Sequence, residues 1–156
     1  LGRMRDLGVL PSFYAVPPFF WGDWHRLSFG DERASFISPL RAALDRGIPL
    51  TIHNDSPVVP PNIMRLVSIA VNRETRSGHI LGPDQRVSVI EALHAVTLGA
   101  AYQYFEEDDK GSIEVGKRAD FVVLAQDPRT VAASAIADID IVETISRGVS
   151  VFKKSE

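Results

Sequence analysis

The alternation of apolar and polar positions divides the chain into two kinds of element. Short apolar runs, Val9 to Val16 and Ile48 to Ile52, read as buried strands, and Pro11 limits pairing of the first to its start or a bulge. Between and after them apolar residues recur at helical spacing, first at Leu40, Ala43 and Leu44 and then through Asn62 to Arg73. Ser38 and Pro39 start the earlier helix as N-cap and N1, and Gly47 ends it. A third helix opens at Ser88, with Glu91 completing a capping box, and runs to about Val96. Thr97 caps a fourth, through Phe105. Strand, loop, helix and strand with short connections is the order of parallel βα units.

Downstream the pattern shortens. Gly111 to Lys117 is a glycine-flanked alternating run that predicts tight β-structure, and Ala119 to Leu124 predicts a strand ended by Asp127-Pro128. Val131 to Ile139 is a short helix or irregular connection. Ile141 to Ser146 and Val149 to Phe152 make a hairpin around Arg147-Gly148. The expected class is therefore α/β over residues 1–108, followed by a β-only unit over 109–156. Leu1 to Leu7 reads as the last turn of a helix with Gly8 as its cap. We expect the chain to be a piece of something longer.

Several connections carry their own signals. Pro17 to His25 is an aromatic-rich loop that either lines a pocket or packs on its own core. Gly30 to Arg33 reads as a turn, Pro57 to Pro61 as a rigid loop, and Glu74 to Pro83 as a loop carrying a solvated His79. His94 is a packed or surface histidine.

Composition changes this picture little. With 156 residues, 45% hydrophobic and 24% charged, the chain is long enough to bury a core. A net charge of −3 without a basic block gives no support to a nucleic-acid or anionic-membrane surface. No apolar run approaches the ~20 residues that span a bilayer. The absence of cysteine excludes disulfides and thiolate ligands. A cytoplasmic location is the default expectation.

The chemistry concentrates at Pro49 to Pro57, where an apolar strand climbs to His53, Asn54, Asp55 and Ser56 before a proline stops it. On an extended strand His53 and Asp55 point to one face, where a carboxylate and an imidazole can bind a divalent metal or move a proton. The same residues also suit a strand end whose aspartate caps the following turn.

Three stretches resemble the amidohydrolase superfamily, in its family 3 branch of N-acyl-amide and formamide-type metal-dependent hydrolases. Lys110-Gly-Ser-Ile-Glu-Val-Gly-Lys-Arg-Ala-Asp-Phe-Val-Val-Leu124 is similar to the return of these enzymes to their small β-sandwich. Thr51-Ile-His-Asn-Asp-Ser-Pro57 is similar to the end of the eighth strand of their (β/α)8 TIM-type barrel. Phe20-Trp-Gly-Asp-Trp-His25 with Gly30-Asp-Glu-Arg33 is similar to the loop after the seventh. The resemblance spans essentially all 156 residues. It implies the last two βα units of the barrel plus strands of the composite β-sandwich.

It also implies that Asp55 is a metal ligand and general base in a hydrolase that cleaves a C–N bond, an amide or cyclic amide of a small molecule, with metal-activated water. The metal implied is zinc. The branch's remaining ligands, a His-x-His and later histidines among them, have no counterpart here. The chain alone is therefore expected to bind no metal, to be inactive, and to self-associate or be completed by a missing N-terminal part. His53 matches no family ligand and is read, with Trp21 and His25, as a residue near the substrate pocket. Some relatives carry a histidine where this sequence has Pro17 or Pro18. The alternative is a non-catalytic structural or interaction module derived from such an enzyme.

Overall fold

The computed structural model describes residues 1–155; Glu156, the last residue of the expected 109–156 unit, lies outside the described residues. The order of elements is α1 (Gly2–Asp6), β1 (Ser12–Tyr14), α2 (Pro17–Phe29), α3 (Asp31–Ser35), α4 (Leu40–Leu44), β2 (Thr51–His53), α5 (Ile63–Asn72), α6 (Val89–Val96), α7 (Leu98–Gln103), β3 (Phe121–Leu124), β4 (Ile141–Ser146) and β5 (Val149–Lys153). Two 3-10 helices, Pro83–Gln85 and Ala133–Asp138, join them. The fold is mixed α/β. Strands β1 and β2 pair in parallel, whereas β3, β4 and β5 form an antiparallel sheet in that order. Among the described residues no helix is long and apolar enough to cross a membrane.

The parallel pair is short, three residues in each strand. Ser12, Phe13 and Tyr14 lie opposite Thr51, Ile52 and His53. The core gathers around them: Val16, Leu40, Ile48, Leu50, Leu66 and Val67 are all buried in one cluster. Helix α5 contributes most, burying Met64, Leu66, Val67, Ile69 and Ala70 on its core-facing side. Each large side chain buried there is worth about 1.5–3 kcal/mol relative to exposure. Its N-cap is Asn62, whose side chain accepts from the Arg65 backbone N–H at 2.9 Å. The α6 capping box forms as the sequence predicts, with Ser88 and Glu91 bonded reciprocally. Glu91 also receives Arg41 Nη1 at 2.7 Å, which ties α4 to α6.

One polar group organises this half of the chain. Arg73, 1% exposed, caps α5 with a left-handed backbone (φ 52°). Its guanidinium donates to four main-chain carbonyls: Leu81 at 2.7 Å, Ser38 at 3.0 Å, Ser35 at 3.3 Å and Ile37 at 2.8 Å. Burial, together with the charge of Arg86, pushes its pKa down to about 10, so it remains cationic at neutral pH. Gly82 completes the junction, since a Cβ there would stand 2.0 Å from the Ser35 carbonyl oxygen and its φ is +61°.

Five expectations change. The aromatic segment from Pro17 to His25 is not a loop but the first part of α2: Pro17 and Pro18 occupy the first helical turn, where a missing N–H costs nothing and the fixed φ helps. Gly30 to Arg33 is the entry to helix α3 rather than an isolated turn. Ser38 does not cap α4; Pro39 takes that position, and the Ser38 hydroxyl donates to the Tyr14 carbonyl at 2.5 Å. Thr97 sits at the N-cap of α7 without a capping bond, because its hydroxyl turns back to the Leu93 carbonyl. Gly111 to Lys117 forms bends and a turn instead of β-structure. The β4–β5 hairpin around Arg147-Gly148 agrees with the sequence reading.

Candidate functional site

The carboxyl ends of β1 and β2 lie side by side, and the polar residues collect there. In-register pairing sets Tyr14 opposite His53, and the two rings stack with centroids 5.5 Å apart and planes 19° from parallel. His53 Nδ1 is 2.9 Å from Ser12 Oγ, a hydrogen bond that helps fix the imidazole. Trp21, one turn into α2, closes over Tyr14 at 6.0 Å. The start of α2, β1 and the distant end of β2 thereby form one aromatic cluster.

Asp55 follows two residues after β2 and does not continue its alternation. Its backbone is left-handed (φ 59°), a conformation aspartate tolerates better than most residues. The expectation that His53 and Asp55 share a strand face is thus corrected: the strand ends at His53, and the chain turns before Asp55. The carboxylate is exposed, and among the described residues it makes no side-chain hydrogen bond or ion pair; only its main-chain oxygen is engaged, by the Val58 N–H at 2.9 Å. It is free to accept a proton or face a cation.

Tyr14 is the residue that sequence reasoning missed. Its phenol oxygen is buried without a hydrogen-bond partner, and leaving such a group unpaired costs about 1–3 kcal/mol. Burial, and after it the negative charge of Asp55, pushes its pKa up, so the phenol keeps its proton. The signal was available in the alternation of Ser12 and Tyr14 along β1, which mirrors Thr51 and His53 along β2. Asn54 was also passed over; it is buried and lines a hollow between the loop after β2 and the start of α2. His25 lies a turn beyond Trp21 but stacks on Phe29 (5.4 Å) rather than on the Tyr14–His53 pair, and its Nδ1 is buried without a partner.

A metal centre is not assembled by these residues. Among the described residues no three His, Asp or Glu side chains gather closely enough to hold an ion, whereas a catalytic zinc takes three protein ligands. Asp55 is a single donor, so no metal-borne step is derived from this arrangement.

The amidohydrolase family model matches residues 1–152. The chain belongs to the amidohydrolase family. N-substituted formamide deformylase of Arthrobacter pascens is 31% identical over 156 residues, 98% of this amidohydrolase chain and 28% of that protein. Among solved structures, an uncharacterized metal-dependent hydrolase from Pyrococcus horikoshii aligns with TM-score 0.69 and 27% identity, over 84% of this chain and 27% of the other. A second, from Pyrococcus furiosus, aligns with TM-score 0.66 and 30% identity, over 82% and 26%. The chain spans about a quarter of the length of the curated relatives it matches.

Proposed function

We propose that this chain forms part of a hydrolase that cleaves a C–N bond in a small molecule, an amide, formamide or cyclic amide, and that Asp55 is its contribution to the chemistry. The observation that carries this reading is the family match over residues 1–152, with an uncommitted carboxylate immediately beyond the second of two parallel strands. Active-site residues of α/β folds sit at that end of the strands. The role assigned to Asp55 is to bind the metal, zinc by expectation, and to take the proton from the attacking water. Such general-base assistance contributes about 10²–10⁴-fold to rate. His53, held by Ser12 and Tyr14, is assigned to the pocket wall together with Trp21.

In this reading β1 and β2 are the last two strands of a (β/α)8 barrel, and β3 to β5 belong to its small β-sandwich. The parallel register supports the first assignment. Among the described residues no third strand pairs with either of these two, which supports completion by further strands, from another part of the protein or from another copy. The remaining ligands of a metal site would come from there.

The test is release of formate or amine from N-substituted formamides by the full-length protein loaded with zinc. Asp55→Asn is expected to lower kcat by about 10²–10⁴-fold, and the 156 residues alone are expected to give no turnover. Retained activity in Asp55→Asn, or turnover by the isolated chain, overturns the assignment. Absence of turnover from the loaded full-length protein across amides and formamides favours the non-catalytic module instead.

A further inference from the structure

The hollow beside Asn54 holds two arginines that no acid claims. It measures about 320 Å³ and is lined by Phe19 and Phe20 of α2, Asn54 and Val59 of the loop after β2, and Arg65 and Arg76. Among the described residues neither guanidinium makes a hydrogen bond or an ion pair. Both are held by aromatic faces instead. Arg76 lies 4.9 Å from the Phe20 centroid and 5.7 Å from that of Phe19, and Arg65 lies 5.3 Å from Phe19. A guanidinium held over an aromatic ring fixes the cation while leaving N–H donors for a further partner, and that donor fork matches the two oxygens of a carboxylate.

Two further features give the hollow the same sign. Asn62, at the N-cap of α5, opens into it, and the first turn of that ten-residue helix contains no acidic residue. The positive end of the helix is therefore uncompensated by its own sequence. The loop bearing Arg76 is also fixed rather than free. Asp23 of α2 accepts from Thr75 Oγ1 at 2.9 Å and from Ser77 Oγ at 2.6 Å, on either side of Arg76. Gly22 permits that approach, since a Cβ there would meet Thr75 Cγ2 at 2.7 Å. Arg65 and Arg76 also border an adjoining hollow that they share with Glu74 and Asp138, and among the described residues neither acid forms an ion pair with them.

We propose that Arg65 and Arg76 form a binding site for a carboxylate attached to a flat apolar group. The carboxylate is received by the two guanidiniums, and the apolar part lies along Phe19, Phe20 and Val59. Asn54 is the residue before Asp55, so the site adjoins the position assigned to the chemistry. That the carboxylate belongs to the substrate rests on the hydrolase reading, whereas the binding itself does not.

Calorimetric titration of the protein with benzoate, with benzamide as the uncharged counterpart, tests the binding without turnover. Benzoate is expected to bind saturably and at least tenfold more tightly than benzamide. Arg65→Gln and Arg76→Gln are each expected to weaken benzoate at least tenfold, while Arg129→Gln, on an exposed turn and already paired with Asp127, leaves it unchanged. Arg76 is exposed, so Arg76→Gln reports on the site even if Arg65→Gln disturbs the fold. Equal affinity for benzoate and benzamide, unaltered binding by Arg76→Gln, or inorganic phosphate binding as tightly as benzoate overturns the proposal. Benzoate binding in a full-length protein that hydrolyses no amide would retain the site and remove the hydrolase reading.

Discussion

The two sheets of this molecule are specified in opposite ways. Strands β4 and β5 follow from neighbours in sequence, through alternating residues and a two-residue turn at Arg147-Gly148, and β3 is tied to that turn by an Asp120 side chain that accepts from the Arg147 N–H at 2.7 Å. None of their residues is fully buried: β4 is mostly half-buried, and every described residue of β5 is exposed. The parallel pair β1 and β2 has no local turn to define it. It exists because helices bury Leu50 and Ile52 and because Arg73 binds carbonyls up to 38 residues away. Local pairing can stand with little burial, whereas a parallel pair needs its whole surroundings.

That contrast sets the order of expected mutational effects. Arg73→Met should be the most damaging, costing about 3–5 kcal/mol in denaturant unfolding, because it removes a buried hydrogen-bonded cation and strands four carbonyls. A cost below about 1 kcal/mol would show that water can replace the guanidinium, and the contrast would weaken. Ser88→Ala, which opens the α6 capping box, should cost about 1 kcal/mol.

Asp23 provides an effect that depends on pH. Hydrogen bonding from Ser77, with a further bond from Thr75, holds its carboxyl below the ordinary value of 3.8. Folding therefore favours the ionised form. Its contribution is fully present above that value and is lost as the pH falls through the lower folded one. Thermal melts of Asp23→Asn should lack this part of the acid-side decline and converge on the unsubstituted protein at the lowest pH. The smallest effect belongs to the antiparallel sheet: Val151→Thr, at a position 62% exposed, should change stability by no more than about 0.5 kcal/mol. A loss several times larger would mean that this face is covered in solution.

The same contrast explains what could be read from the sequence. The β4–β5 hairpin and the α6 capping box were legible because each is decided within a few residues. The start of α2 was not, since consecutive prolines and aromatics suit a loop equally well until the packing around Tyr14 is known. Asp55 was legible as a polar residue at a strand end, but its left-handed turn and its separation from the strand face were not. Arg65 and Arg76 left no local trace. Their neighbours come from segments tens of residues away, and alternation along one strand or helix does not encode which other segment will face it.

The bonding of Arg73 has a consequence for how freely the chain can vary. All four of its acceptors are main-chain oxygens, so the guanidinium senses the course of the backbone and is blind to the side chains it passes. In a library randomised at Ser35, Ile37 and Arg73 and sorted for folded protein, the first two positions should tolerate many residues as far as this junction is concerned. Position 73 should return arginine alone, since lysine offers a single ammonium where four separated carbonyls must be reached. One irreplaceable side chain thus leaves its partners' identities open.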